Sequence, residues 1–393
     1  MTGLTDSKVQ HWLDAHEHEP VTSVLLKGSP FPYIDIRTLA VQLEGRQKAK
    51  KKLPKWYASR HRLIWPARIS LEQCSSETTA RYKSLLISGS RFADLTGGMG
   101  VDSYYLARSF SESHYVEKQP ELHEVTCHNL KALDSEISCH LNDGIDWLEA
   151  QTGTFDWLYL DPARRGTNQQ KVIRLQDYSP DITACIPLLQ RKATAIMVKV
   201  SPMADIRELQ RQTGTEASFH VVAVDNECKE ILICFGKEVR PGMIHAVNIT
   251  GDKLYREDFD LQEESLSEGR TAMPKNYLYE PNAAIMKAGT FKAIGNRYKL
   301  EKLHENSHLY TSEDLLDHFP GRVFRITEMI RPHRKDLIRA LPSGKGSLAV
   351  RNFPMSTESL KKKLNLKDGQ DAYLFATTLK DGSKTIIITE KAR

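Results

Sequence analysis

The chain has 393 residues, 40% of them hydrophobic and 27% charged, which is a soluble globular composition and excludes a disordered or fibrous protein. A net charge of +5 is mild, so it names no polyanionic partner, and any nucleic-acid contact must rest on local clusters. The length exceeds one ordinary core, and two or three domains are expected.

In chain order, the N-terminus MTGLTDSKVQHWLDAHEHEP lacks the apolar core of a signal peptide, and no later run reaches membrane-spanning length. The expected compartment is therefore the cytoplasm. Residues 1–88 form an expected helical region without a sheet pattern. Within it, RQKAKKKLPKWYASRHR (46–62) sets eight Lys or Arg around Trp56 and Tyr57. SLEQCSSETTARYKSLLISG follows as a helix that Ser76 would cap, with Leu85 and Leu86 facing a core.

At Arg91 the rhythm changes to strands alternating with helices. Strands are expected at 91–95, 113–117, 137–141, 155–161, 193–200, 219–224 and 230–236, and helices at about 101–110, 119–133, 143–151, 181–191 and 203–212. Such alternation implies a doubly wound α/β domain over 89–237, its parallel sheet covered on both faces. FHVVAVD and EILICFG are too close for a helical crossover, so they should close the sheet as an antiparallel hairpin. Residues 238–321 are expected to connect, with the polar stretch GDKLYREDFDLQEESLSEGR as an exposed loop and a small mixed piece after it. From 322 to 393 the pattern is strand, helix, strand, helix, strand, strand, with Asp381-Gly382 as the last turn, which suggests a compact α+β module.

The six cysteines are scattered without a closely spaced pair, so free thiols are expected. His304 and His308 are spaced for one helix face but lack an accompanying acid, and His11, His16 and His18 lack ligand spacing. No metal site is expected.

The chain is organised around RFADLTGGMGVD, Arg91 to Asp102. A strand ends at Asp94, and Thr96, Gly97, Gly98 and Gly100 make a sharp turn on which a ligand can lie against bare backbone before a helix begins. Glu117 ends the next strand, and Asp143 follows the third. In a doubly wound sheet these acids converge beyond the carboxyl ends of the strands. Glu117 is placed for both hydroxyls of a ribose, Asp143 for an exocyclic adenine amine, and Asp94 for a cationic amino-acid group. Of the three, Asp143 is the one most open to serving instead as the cap of the helix behind it. A dinucleotide site would want a third glycine where Ser103 stands, and its pyrophosphate would be repelled by Asp94, whereas a sulfonium amino acid would not.

With these residues in view, 91–236 resembles a class I S-adenosylmethionine-dependent methyltransferase, DLTGGMG being its first motif and Glu117 and Asp143 its later acids. The resemblance implies S-adenosyl-L-methionine as cofactor and a seven-stranded Rossmann-like sheet whose last strand is antiparallel. QCSSETTARYKSLL resembles the helix that precedes this motif in several RNA methyltransferases. The whole arrangement, with small ferredoxin-like and THUMP-like α+β pieces after the sheet, resembles bacterial THUMP-like methyltransferases and implies RNA (tRNA or rRNA) as partner.

FDWLYLDPARRG carries the reaction end, with Asp161 and Pro162 as catalytic candidates at the close of the fourth strand. DPARRG resembles the D-P-P-R-x-G of uracil-C5 RNA methyltransferases and, less closely, the D/N/S-P-P-aromatic of amino methyltransferases. It departs from both, with Ala163 for the second proline and Arg164-Arg165 for the aromatic. Ser201, in VKVSPM, stands where the C5 enzymes place a nucleophilic cysteine, and a serine hydroxyl is hardly ionised. Direct transfer to nitrogen or oxygen is therefore expected. Arg164, Arg165, Lys199, Trp56, Lys51 and Lys52 are the candidates for RNA contact, with further cations at 331–339 and 361–363. Two other readings stay open: an RNA-binding protein with a silent cofactor pocket, and a methyltransferase acting on protein or a small molecule.

Overall fold

The computed structural model describes residues 3–164 and 174–392. Two compact units emerge, one built from residues 1–218 and 230–241, the other from 219–229 and 242–393.

The first unit begins with helices Ser7–His16, Val21–Leu25, Ile36–Lys52, Pro54–Ala58, Arg68–Gln73 and Glu77–Ser84. Ile36–Lys52 starts where the Asp35 carboxylate accepts the Arg37 N–H, and stops before Pro54, which has no N–H to continue it. Ser76 caps Glu77–Ser84 as expected, accepting the Thr79 N–H at 3.2 Å. The expected core face is corrected. Leu85 is 76% exposed because the helix ends at Ser84, and the buried side is Thr79, Ala80, Tyr82 and Lys83.

The strands that follow are β1 (Arg91–Asp94), β2 (Glu112–Glu117), β3 (Ser138–Leu141), β4 (Phe155–Leu160), β5 (Ala163–Arg164), β6 (Tyr178–Ser179), β7 (Ala193–Val200), β8 (Ser218–Val224) and β9 (Glu227–Gly236). In the first unit the order is β9-β7-β4-β1-β2-β3. Pairings from β7 through β3 are parallel, and β9 lies antiparallel on β7. The central strands are buried almost throughout, as a sheet covered on both faces requires. β5 and β6 form only a two-residue ladder. The chain leaves β1 toward β2 and β3 on one side and returns to β4 on the other, so β1 and β4 flank the switch point where such sheets bind ligands. Trp56, Trp65, Leu71, Tyr104, Tyr105, Tyr115 and Leu130 share one core between the N-terminal helices and this sheet.

In the second unit the chain turns after β8 at Asp225 and Asn226, both at positive φ (50° and 63°), as a tight hairpin turn demands. β8 pairs parallel with β10 (Met243–Thr250), which pairs antiparallel with β11 (Lys253–Asp260). β11 corrects the expected exposed loop at 251–270, and neither β10 nor β11 is among the seven strands expected. β11 is a polar edge strand, almost wholly exposed, so no apolar alternation announces it. A second sheet holds β12 (Tyr277–Pro281), β13 (Glu301–His304), β14 (Ser307–Ser312), β15 (Gly321–Ile330), β16 (Ser347–Arg351), β17 (Tyr373–Thr378) and β18 (Lys384–Lys391), in the order β13-β14-β12-β15-β18-β17-β16. Helices Arg334–Ala340 and Thr357–Leu364 fall between β15, β16 and β17, the element order expected of the C-terminal module. His304 and His308 lie on β13 and β14, not on one helix face.

Candidate active site

The glycine turn is held mostly by the protein's own groups. Gly97 donates to the Val116 carbonyl at 2.8 Å, and a Cβ on it would lie 2.1 Å from the Tyr115 ring. Gly100 has φ +74°, and a Cβ there would meet the Thr126 methyl at 2.6 Å. The Gly98 carbonyl accepts from the Tyr115 hydroxyl (2.7 Å) and from the Thr126 hydroxyl (3.0 Å). Gly98 differs from its neighbours: at φ +53° its Cβ position meets nothing nearer than the Thr96 carbonyl oxygen, at 3.7 Å. Bare backbone open to a ligand is therefore found at Gly98, while Gly97 and Gly100 serve internal packing.

The three acids play different parts. Glu117 uses one oxygen for the Gly98 N–H (2.9 Å) and the other for the Gln119 N–H (2.8 Å), so the carboxylate is fixed at the turn with lone pairs to spare. Asp143 caps the helix Gly144–Ala150 through the Ile145 N–H at 2.9 Å, and its second oxygen lies 3.8 Å from Lys118 Nζ. Gly144 is essential to that placement, since a Cβ there would sit 2.0 Å from the Leu95 carbonyl oxygen. Asp94 corrects the expectation of a group facing a cationic ligand. It is buried beneath the turn, one oxygen taking the Thr96 N–H (3.0 Å) and the other the Ser103 hydroxyl (2.6 Å). Burial pushes its carboxyl up to about 7 against those two bonds.

Because β2, β1, β4 and β7 are parallel neighbours, their carboxyl ends bring Glu117, the turn, Asp161 and Lys199 into one row. The Asp161 N–H donates to the Thr96 hydroxyl at 2.6 Å, which ties the end of β4 to the glycine turn. Its carboxylate pairs with Lys199 Nζ at 2.5 Å and keeps a third of the side chain open (33%). Burial pushes the Asp161 carboxyl up, and Lys199 only partly opposes this. Burial would likewise lower the Lys199 ammonium, but Asp161, Asp102 and Glu230 outweigh it and hold the ammonium above its usual range. Pro162 is buried.

The expected RNA contacts scatter. Trp56 is fully buried against Tyr104, ring centroids 5.7 Å apart, so it is a core residue and not a stacking platform. Its helix begins at Pro54, which turns the indole inward out of the basic run. Lys52 Nζ donates to the Leu71 and Glu72 carbonyls (2.9 and 2.8 Å), and Lys51 is exposed. Lys199 is engaged with Asp161 and is not a free surface cation. Arg164 contributes backbone to the β5–β6 ladder, and Arg165 lies outside the described residues. Ser75, Lys83, Asp102 and Glu230, which surround Lys199, do not stand out in the sequence. Their one signal is that Lys83 follows Thr79 by four residues on the buried face of a capped helix.

A solved structure of a candidate methyltransferase from Porphyromonas gingivalis W83 matches with a TM-score of 0.88 and 32% identity, covering 98% of both chains. The chain belongs to the class I S-adenosylmethionine-dependent methyltransferase family. Two uncharacterized S-adenosylmethionine-dependent methyltransferases from strains of Mycobacterium tuberculosis are each 22% identical over 80% of this chain and 84% of their own length. Family models match residues 277–320 as a ferredoxin-like domain and residues 321–391 as a THUMP domain-like region. The cofactor of this methyltransferase family, S-adenosylmethionine, suits the residues present: the open backbone at Gly98, whose Cβ position has only the Thr96 carbonyl oxygen within 4 Å, and a fixed carboxylate at Glu117 for a diol. Three strand spacings separate β3 from β4, roughly 14 Å, which is room for a nucleoside with an amino-acid tail. Among the described residues no group of three His, Cys, Asp or Glu could hold a metal ion, and no helix is long and apolar enough to cross a membrane.

Proposed function

We propose that this methyltransferase transfers its methyl group to a nitrogen or oxygen of an RNA nucleotide, in tRNA or rRNA, without a covalent cysteine intermediate. The observation that carries the reading is the 2.6 Å bond from the Asp161 N–H to Thr96, which sets a part-open carboxylate beside the turn proposed to hold the donor. Gly98, Glu117 and Asp143 would cradle the nucleoside, with Thr96 and Asp94 shaping the turn. When bound, the cofactor supplies an electrophilic methyl on a cationic sulfur. The chain's own task is then to aim the acceptor's lone pair and to take its proton, for which Asp161 and the carbonyls around Pro162 are suited.

A covalent route finds little support. The Ser201 hydroxyl accepts the Met203 N–H at 3.2 Å, and its own amide is bonded to the Tyr178 hydroxyl at 3.2 Å, a turn-forming role. Cys74 is close enough to feel the charges of Asp161 and Lys199, but burial pushes its thiol up to about 11, too high for a nucleophile at neutral pH. RNA as acceptor is supported by the THUMP-like match and by exposed cations at Arg331, Arg334, Lys335, Arg339, Lys362 and Lys363.

Labelled S-adenosylmethionine and total bacterial RNA test the reading. Label should enter RNA, be released by ribonuclease, and be lost in Asp161→Ala. Label in protein instead, or cofactor binding with no label in any macromolecule, would sink it, the last outcome favouring a silent pocket.

A further inference from the structure

Five ionisable side chains meet behind the reaction end, within the first unit. Lys83 Nζ lies 2.5 Å from Glu230 and 3.2 Å from Asp102, and Lys199 Nζ lies 2.5 Å from Asp161 and 3.9 Å from Asp102. The Ser75 hydroxyl joins them: it accepts from Lys83 and from Lys199, each at 3.1 Å, and donates to Asp102 at 2.6 Å. The Tyr159 hydroxyl donates to the same Asp102 oxygen at 2.8 Å. Four of the five charges are nearly or fully buried, and only Asp161 reaches the mouth.

Stability alone does not account for this arrangement. Desolvating each ion costs several kcal/mol, and apolar replacement of a buried ionic cluster is often neutral or stabilising. Three carboxylates face two ammonium groups, which leaves one negative charge over. Lys83 is committed to Glu230 and Asp102 deep in the fold, so the excess falls on the outer pair, where Asp161 is the exposed member.

We propose that Lys199, braced by Ser75 and Asp102, is a positioning residue that aims the Asp161 carboxylate and keeps it ionised at the mouth of the site. This rests on the reading that Asp161 handles the acceptor. The Lys199 ammonium is held between two partners: its stem runs in β7, one donor meets Ser75 from the segment before helix Glu77–Ser84, and another meets Asp161. The segment that packs beside the glycine turn thereby reaches the reaction end through one hydroxyl.

The groups that act on Asp161 are Lys199 on β7, Asp102 and Asp94 on either side of the turn, Tyr159 on β4, and Lys83 and Cys74 from the N-terminal helices. Lys199 is the cation paired with Asp161, so its removal leaves the like charge of Asp102 and burial to favour the protonated acid.

The test compares Lys199→Met, Lys199→Arg and Ser75→Ala in the full chain, using labelled S-adenosylmethionine and total bacterial RNA across pH. Lys199→Met should lower kcat roughly 100-fold, as loss of a positioned base does, and move the acid limb of the pH profile to higher pH. Lys199→Arg should restore a substantial part of the rate and return the limb, and Ser75→Ala should give a smaller shift in the same direction. An acid limb unchanged in Lys199→Met, with both Lys199 variants equally slow, would overturn the proposal and leave Lys199 merely structural. Should the wild-type protein label no RNA, the functional reading fails separately. Carboxyl carbon-13 titration of the wild type and of Lys199→Met, with Asp161→Asn assigning the resonance, then decides the matter: the Asp161 midpoint must rise in Lys199→Met, and an equal midpoint refutes the inference.

Discussion

Single residues decide whether the turn exists. Gly97 and Gly144 have no room for a methyl group, because each would drive it into the Tyr115 ring or the Leu95 carbonyl. Gly144→Ala should therefore cost about 1–3 kcal/mol in urea unfolding, as overpacking does, even though residue 144 touches no proposed ligand atom. Asp94 makes a second, pH-dependent prediction. Its carboxyl is raised from 3.8 to about 7 in the folded protein, so between those values the native state holds a proton that the unfolded chain has lost. Its contribution to stability is full at the acid end of that window and disappears as pH rises through it. Asp161 is raised too and adds a slope of the same sign, so Asp94→Asn should reduce the fall in stability over this range without abolishing it. The sequence pattern exposed the glycines and the spaced acids, since both are sparse and local. It misplaced Asp94 because a carboxylate two residues before a turn can equally well face out to a ligand or fold back onto the turn's own N–H groups.

At the scale of elements, the strand–helix alternation of 91–236 was legible because buried parallel strands are continuous apolar runs bounded by polar helix starts. One element escaped, and the inner face of another was misread, for opposite reasons. β11 carries almost no apolar signal because an edge strand can keep its side chains in water. Helix Glu77–Ser84 carries a misleading one: Leu85 and Leu86 suggest its inner face, yet Lys83 is the residue inside, accepted there because Glu230 on β9 and Asp102 meet it. That pairing joins the helix to the sheet and is testable. Glu230→Ala should leave Lys83 short of charge compensation and destabilise the fold by about 3–5 kcal/mol, whereas Lys83→Met combined with Glu230→Leu should be close to neutral. Equal losses in the single and double variants would show that packing volume, not charge, holds this helix.

Across the whole molecule, composition could not separate an enzyme from an RNA-binding protein, and the mild net charge hid where the cations lie. The basic run at 46–62 suggested an RNA surface, but much of it is spent inside the first unit: Arg46 is buried with Asp14, Lys52 on backbone carbonyls, and Trp56 in the core. The exposed Lys362 and Lys363 of the THUMP-like region keep their charge in solvent. Replacing both with glutamate should weaken binding to total RNA and flatten its salt dependence, by about one unit of slope for each phosphate no longer neutralised. Affinity for S-adenosylmethionine should not change.

The proposed cofactor site is the turn at Gly98 with Glu117 behind it. Its sharpest test is titration calorimetry of S-adenosylmethionine into the wild type, Gly98→Val and Glu117→Ala. The wild type should bind saturably, and both variants should bind at least roughly tenfold more weakly, since each loses an interaction worth about 1.4 kcal/mol or more. Wild-type affinity in folded Gly98→Val and Glu117→Ala would mean that the nucleoside lies elsewhere, and would contradict this placement.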